Sequence, residues 1–133
     1  MSAPPGRDII HDGMNVFQTE LRRLAERIEG TRAVSLVGVD GIAIDSYVPT
    51  EGVPMESLAA EMGAIIKAAQ SSSALTENDP VAQLTVTSRH ATTILCRVTE
   101  EYYLLLWLGQ DGNFGRGRFE LRKSAAALEK ELL

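Results

Sequence analysis

The chain has 133 residues, 44% of them hydrophobic and 23% charged, with a formal net charge of -5. These are the proportions of one globular domain large enough to bury its own core. The negative charge speaks against nucleic acid as the main partner, because phosphate binding needs a clustered positive surface. A lone cysteine, Cys96, excludes an internal disulfide and fits a reducing compartment.

The N-terminus lacks the apolar core of a signal peptide. The longest purely apolar run, Leu104 to Leu108, is far shorter than the ~20 residues that span a bilayer. The expectation is a cytoplasmic protein with no direct membrane insertion. Residues 1–12, with Pro4, Pro5 and Gly6 and no apolar periodicity, read as a flexible leader to a domain over 13–133.

From Met14 the spacing of Phe17, Leu21, Leu24 and Ile28 gives one apolar stripe along a helix, with Gly30 placed to end it. Two β-rich runs follow, Ala33–Val39 and Ile42–Val48, separated by Asp40-Gly41. That arrangement predicts a hairpin whose tight turn needs positive φ at both central residues. After a loop over Pro49–Pro54, a second helix is predicted from Met55 to Leu75, with Leu58, Met62, Ile65, Ile66 and Ala69 on its inner stripe.

Asn78-Asp79-Pro80 breaks the chain. Three strands are then expected, Val81–Ser88, Ala91–Val98 and Tyr102–Gly109. The first alternates as a half-exposed strand does. The last is apolar on both faces, as a strand covered on both sides must be. Gln110–Gly117 reads as a glycine-rich loop, and the final helix carries Leu121, Ala125, Leu128 and Leu132 inward. The order α-β-β-α-β-β-β-α places the chain in the α/β (α+β) class, with a five-stranded antiparallel sheet packed on helices.

Residues that carry chemistry are few. His11 falls in the leader and His90 in a predicted turn, neither held between a nucleophile and a carboxylate as a triad requires. Cys96 has no second cysteine or histidine at ligand spacing and reads as a small buried hydrophobe. Gly109, Gly112, Gly115 and Gly117 fit neither phosphate-loop pattern; what remains is a connection with several positive-φ positions. No catalytic residue, cofactor or metal is expected, and the chain reads as something other than an enzyme.

Three surfaces stand out instead. Arg116, Arg118, Arg122 and Lys123 cluster where the last helix begins, either as a solvated basic end or as a contact for an acidic partner. Val39 and Ile42 flank the Asp40-Gly41 turn, either folding back on the core or forming a docking patch with Asp40. The second helix has a face of small residues, Ala60, Gly63, Ala64, Ala68, Ser71 and Ser72, with Lys67 beside them. A flat face next to a half-exposed strand carrying Gln83, Thr85 and Thr87 suggests a subunit contact, since a symmetric dimer pairs an open strand edge.

These residues resemble the Roadblock (dynein light-chain-like) family. The hairpin VSLVGVDGIAI from Val34 looks like its first two strands, Ser57-Leu58-Ala59-Ala60 like its second helix, and Tyr103 to Arg122, with GNFGRGRFELR, like its last strand, loop and helix start. The similarity covers about residues 14–133. It implies a single Roadblock/profilin-like domain that forms homodimers, sheets edge to edge and second helices side by side. It also implies a partner: a Ras-like small GTPase, or a related Roadblock-type GTPase-activating protein. Bacterial relatives of the Mgl type act on a polarity or motility GTPase, as activators (MglB type) or adaptors (MglC type). The compact length and the Gly-Asn-Phe-Gly loop look more like the adaptor. By position, Ala60, Ala64 and Ala68 match the dimer or GTPase contact, and Val39, Asp40 and Ile42 the docking turn. The competing reading is a small-ligand sensory α/β domain, with an apolar cavity around Leu104 and Leu106.

Overall fold

The computed structural model describes residues 5–72, 74, 77 and 79–132, those from 5 to 15 by their backbone alone. Three helices and a five-stranded antiparallel sheet make up the domain. In chain order they are α1 (Pro5–Arg27), β1 (Thr31–Gly38), β2 (Ala43–Tyr47), α2 (Met55–Gln70), β3 (Gln83–Thr87), β4 (Ala91–Arg97), β5 (Tyr102–Gly109) and α3 (Phe114–Leu132), the last two strands and helix closing the chain. The sheet runs β2-β1-β5-β4-β3, so the most apolar strand is the middle one, as its two-sided hydrophobicity requires.

Alternation along the strands sorts the core into two layers. Leu104, Leu106 and Leu108 of β5 join Val34, Leu36, Ile94 and Cys96 under α1 and α3, which contribute Leu21, Leu24, Leu121 and Leu128, with Ile28 just past the end of α1. Tyr103 and Leu105, pointing the other way, meet Val37 and Leu95 under Ala59, Met62 and Ile66 of α2. Each fully buried leucine contributes roughly 1.5–3 kcal/mol, and twelve large side chains are buried to below 2% exposure.

Several boundaries differ from expectation. Helix α1 begins at Pro5, inside the segment read as a leader; proline's fixed φ suits a first helical turn. Helix α2 stops at Gln70 rather than Leu75, and the expected helical Leu75 and the chain break at Asn78 lie outside the described residues. Past Ser71 a network takes over: the Gln70 side chain accepts the Val81 N–H at 2.7 Å, and the Tyr103 hydroxyl donates to the Val81 carbonyl at 3.1 Å. Together they pin the approach to β3. Burial raises the Tyr103 pKa above its usual value.

The loop expected up to Gly117 ends earlier, because Asn113 caps α3. Its side chain accepts the Arg116 N–H at 3.0 Å, as an N-cap does for the third helical residue. None of the four glycines of this segment has positive φ, against expectation. Gly112 and Gly117 are small for packing. A Cβ on Gly117 would sit 3.0 Å from a Leu106 methyl, and one on Gly112 would sit 2.9 Å from the Leu108 Cβ and 3.0 Å from the Gly109 carbonyl oxygen.

Candidate functional site

The β1–β2 turn is built differently from a two-residue hairpin. Gly41 N–H donates to the Gly38 carbonyl at 2.9 Å and Gly38 N–H to the Ile42 carbonyl at 2.9 Å, and Gly41 has φ 86. A turn followed by a positive-φ glycine is the three-residue form of hairpin loop. Asp40 serves this turn, its Oδ1 accepting the Ile42 N–H at 3.1 Å. Val39 packs against the α2 layer. Of Val39, Asp40 and Ile42, Ile42 alone presents a large, mostly exposed apolar side chain, at 60% exposure.

Helix α2 lies directly on this turn. A Cβ on Gly63 would come within 2.8 Å of the Gly41 Cα, and one on Gly41 within 3.1 Å of the Ala60 Cα. Gly63 is therefore buried inside the subunit, apart from the small face to which its spacing assigned it. Ala60, Ala64, Lys67, Ala68 and Ser71 are exposed. Ile65, expected on the inner stripe, joins them at 40% exposure. The sequence hid this because Ile65 and Ile66 are adjacent: on a helix only one of the pair can face the sheet, and Ile66 does.

Strand β3 is an edge. Leu84 pairs with Leu95 and Val86 with Thr93, whereas Gln83, Thr85 and Thr87 pair with Cys96, Ile94 and Thr92. Leu95 belongs to the α2 layer and Ile94 to the other. The side chains of Gln83, Thr85 and Thr87 thus point to the α1/α3 layer, and the β3 side chains on the α2 side are Leu84 and Val86, the latter 37% exposed. The backbone tells the complementary story. Arg97 N–H donates to Ala82 at 2.9 Å and Ser88 N–H to Ala91 at 2.8 Å, which puts the even-numbered residues in the hydrogen-bonded pairs. In an antiparallel ladder the alternate residues bond outward, so Gln83, Thr85 and Thr87 present their N–H and C=O groups at the open edge.

The two sheet edges are unequal. The β1–β2 pairing is broken by a bulge between Leu36 and Val37, and β2 carries Asp45, paired with Leu36 on the α1 side. The Asp45 carboxylate accepts the Ser46 N–H at 2.9 Å and, with the Gln18 amide turned toward it, a bond of 2.7 Å. Desolvation raises the Asp45 pKa, partly opposed by that Ser46 N–H. A bulge and an inward-pointing charge are devices that deter edge pairing. Strand β3 has neither: its register is regular and its residues, QLTVT, carry no charge.

At the start of α3, Arg116 is taken up within the subunit. Its guanidinium lies 3.2 Å from the buried Glu120 carboxylate, which Arg27 of α1 approaches at 3.7 Å. A second polar tie joins the same helices, where the Ser124 hydroxyl donates to Glu20 at 3.4 Å. Arg118 lies over the Phe114 ring at 5.7 Å and Lys123 over Phe119 at 5.8 Å.

The remaining residues weighed for chemistry lie apart. His90 is exposed in the β3–β4 turn, and the His11 side chain lies outside the described residues. Cys96 is buried, its thiol pushed up by desolvation and drawn down in part by Arg122. Among the described residues no group of three or more His, Cys, Asp or Glu side chains is arranged to hold a metal ion, and no helix is long and apolar enough to cross a membrane.

Residues 17–107 match the model of the Roadblock/LC7 domain. Among solved structures, the chain is similar to MglC from Myxococcus xanthus, with 27% identity and a TM-score of 0.69 over 86% of this chain and 98% of that one. It is similar in fold to Myxococcus xanthus MglB, with 18% identity and a TM-score of 0.80 over 90% of this chain and 89% of that one. An MglB with a tetrameric arrangement has 15% identity and a TM-score of 0.82, again over 90% and 89% of the two chains. The curated proteins contain no match.

Proposed function

The chain belongs to the Roadblock/LC7 domain family, and from that premise we propose that it is a non-catalytic, homodimeric adaptor for a Ras-like small GTPase or for that GTPase's Roadblock-type activating protein. The observation that carries the reading is the inequality of the sheet edges. β2 is closed by a bulge and a carboxylate, while β3 is regular in register, uncharged and open, and α2 exposes Ala60, Ala64, Ile65 and Ala68. Two copies meeting at β3 extend one sheet across both and bring the two α2 faces together, which satisfies the edge and covers Ile65 and Val86. The likeness to MglC and MglB supports the GTPase side of the reading, in cell polarity or motility of a bacterial cytoplasm.

Partner docking falls to the β1–β2 turn and the start of α3. Ile42 is the contact residue of the turn, with Val39 and Asp40 holding its shape, and Arg118 is the contact residue of the helix, beside Arg116 in its ion pair with Glu120. The small-ligand reading is less favoured, because Leu104 and Leu106 are fully buried in packed core rather than lining a cavity.

The test is binding of the purified chain to the Ras-like GTPase of its own genome, loaded with GDP or GTP, and to any Roadblock-type activator encoded there. The expected result is a complex with one of them, weakened by Ile42→Ala, with GTP hydrolysis unchanged when the chain is added alone. Binding to neither, or turnover stimulated by the chain itself, would reject the adaptor role.

A further inference from the structure

We propose that the outward face of α3 around Phe119 is a docking site for an acidic amphipathic segment of a partner protein, one in which carboxylates flank a large apolar side chain. This deepens the adaptor reading by naming the chemistry of a second partner. It requires neither the dimer nor the GTPase.

The first observation is the charge pattern of the helix. A helix N-terminus carries partial positive charge and favours acidic residues, and the third helical position after a capping residue commonly holds Glu or Gln. In α3 the first turn has no acidic residue, and that third position is Arg116. Arg118, Arg122 and Lys123 follow over the next two turns, so a basic stripe begins at the end where the helix itself disfavours it. The chain as a whole carries -5, so composition does not account for the cluster.

The second observation is how these cations are used. Arg116 is committed to Glu120. Among the described residues no ion pair occupies Arg118, Arg122 or Lys123, all exposed. Arg118 and Lys123 lie instead against aromatic rings, contacts that leave guanidinium and ammonium protons free for an incoming carboxylate.

The third is Phe119, 60% exposed on the same face, with Phe114 41% exposed a turn before. Placed between cations, an exposed aromatic ring is the kind of anchor that interfaces bury at their centre, with charges at the rim. Beside this ridge runs an open groove of about 780 Å³ whose Arg97 and Arg122 are outnumbered by Glu100, Glu101 and Glu129, so the acidic segment is held on the ridge and not in the groove. An anionic membrane is the poorer fit. A planar surface would also meet Glu129 further along the same helix, whereas a short segment reaches Arg118, Arg122, Lys123 and Phe119 alone.

The experiment is selection of a random peptide library on the immobilised wild-type chain, on Phe119→Ala and on Arg122→Glu/Lys123→Glu, followed by affinity measurement for the selected peptides. Phosphatidylcholine vesicles with and without phosphatidylserine are measured in parallel. The expected outcome is enrichment of peptides with clustered Asp and Glu around one large apolar residue. Their affinity falls with added salt and by about tenfold or more in both variants, while the variants keep the wild-type melting temperature and solution mass. Selected peptides without acidic enrichment, or acidic peptides held equally by the variants, would overturn the proposal. So would binding of phosphatidylserine vesicles without peptide binding, which would make the surface a lipid contact. Since α2, β3, Ile42 and Arg118 are untouched, loss of peptide binding with intact mass and GTPase binding separates this site from the function proposed above.

Discussion

Individual glycines and one carboxylate carry much of the geometry. Gly63 lets α2 approach the β1–β2 turn at Gly41 closely enough that a methyl group would meet backbone at 2.8 Å. Gly63→Ala is therefore expected to destabilise the domain by about 1–3 kcal/mol, the usual cost of overpacking, read as a lower urea midpoint with an unchanged slope. An unchanged midpoint would mean that the turn does not rest on the helix. Asp45 gives a pH signature. Its folded pKa is raised by desolvation, so between its unfolded and folded pKa the native state binds more protons than the unfolded one. Stability from this group accordingly rises as pH falls into that window and is lost as pH climbs above it. Asp45→Asn should flatten this part of the urea-midpoint profile and raise the midpoint at neutral pH. It should also promote association through β2, whose protecting charge is then gone. A profile identical to wild type would show that the carboxylate is not desolvated. Neither role was legible in sequence. The spacing that put Gly63 among small surface residues is blind to which side of a helix a neighbouring turn lands on, and Asp45 in a β-rich run signals only a polar position.

At the scale of elements, the hydrophobic periodicities were enough to order three helices and five strands, because each apolar stripe has a single layer to face. Boundaries were harder. Helix α2 ends early where Gln70 bonds to Val81, a long-range contact that no local propensity encodes, and α3 begins early because Asn113 caps it, a signal present in the sequence but masked by the glycines around it. Strand β3 shows both sides of this. The alternation of Gln83, Thr85 and Thr87 was plain, yet it placed their side chains toward the wrong layer for α2. What the same residues offer at the open edge is backbone. The exposed helix face is tested by Ala64→Arg/Ala68→Arg. These positions are exposed within the subunit, so the melting temperature of the isolated domain should change little, while charge repulsion between opposed α2 faces should abolish self-association. A variant that still self-associates with wild-type affinity would remove α2 from the interface.

For the whole molecule, one distinction matters most: the sheet has one defended edge and one open edge, and the proposed dimer makes it half of a larger sheet. Fold and family were readable in the sequence because hairpin, helix and strand order travel together. The inequality of the edges was not, since it depends on a bulge, on a carboxylate held under β2, and on which residues of β3 bond inward. The most direct test is the solution mass of the wild-type chain and of Thr85→Pro, measured by light scattering across a concentration series. Thr85 directs its N–H outward, so proline there removes an edge donor without taking a hydrogen bond from the β4 ladder. The predicted result is twice the 14.4 kDa chain mass for wild type and a folded species of single chain mass for the variant. A wild-type monomer throughout the series, or a Thr85→Pro chain that dimerises as wild type does, would contradict the account.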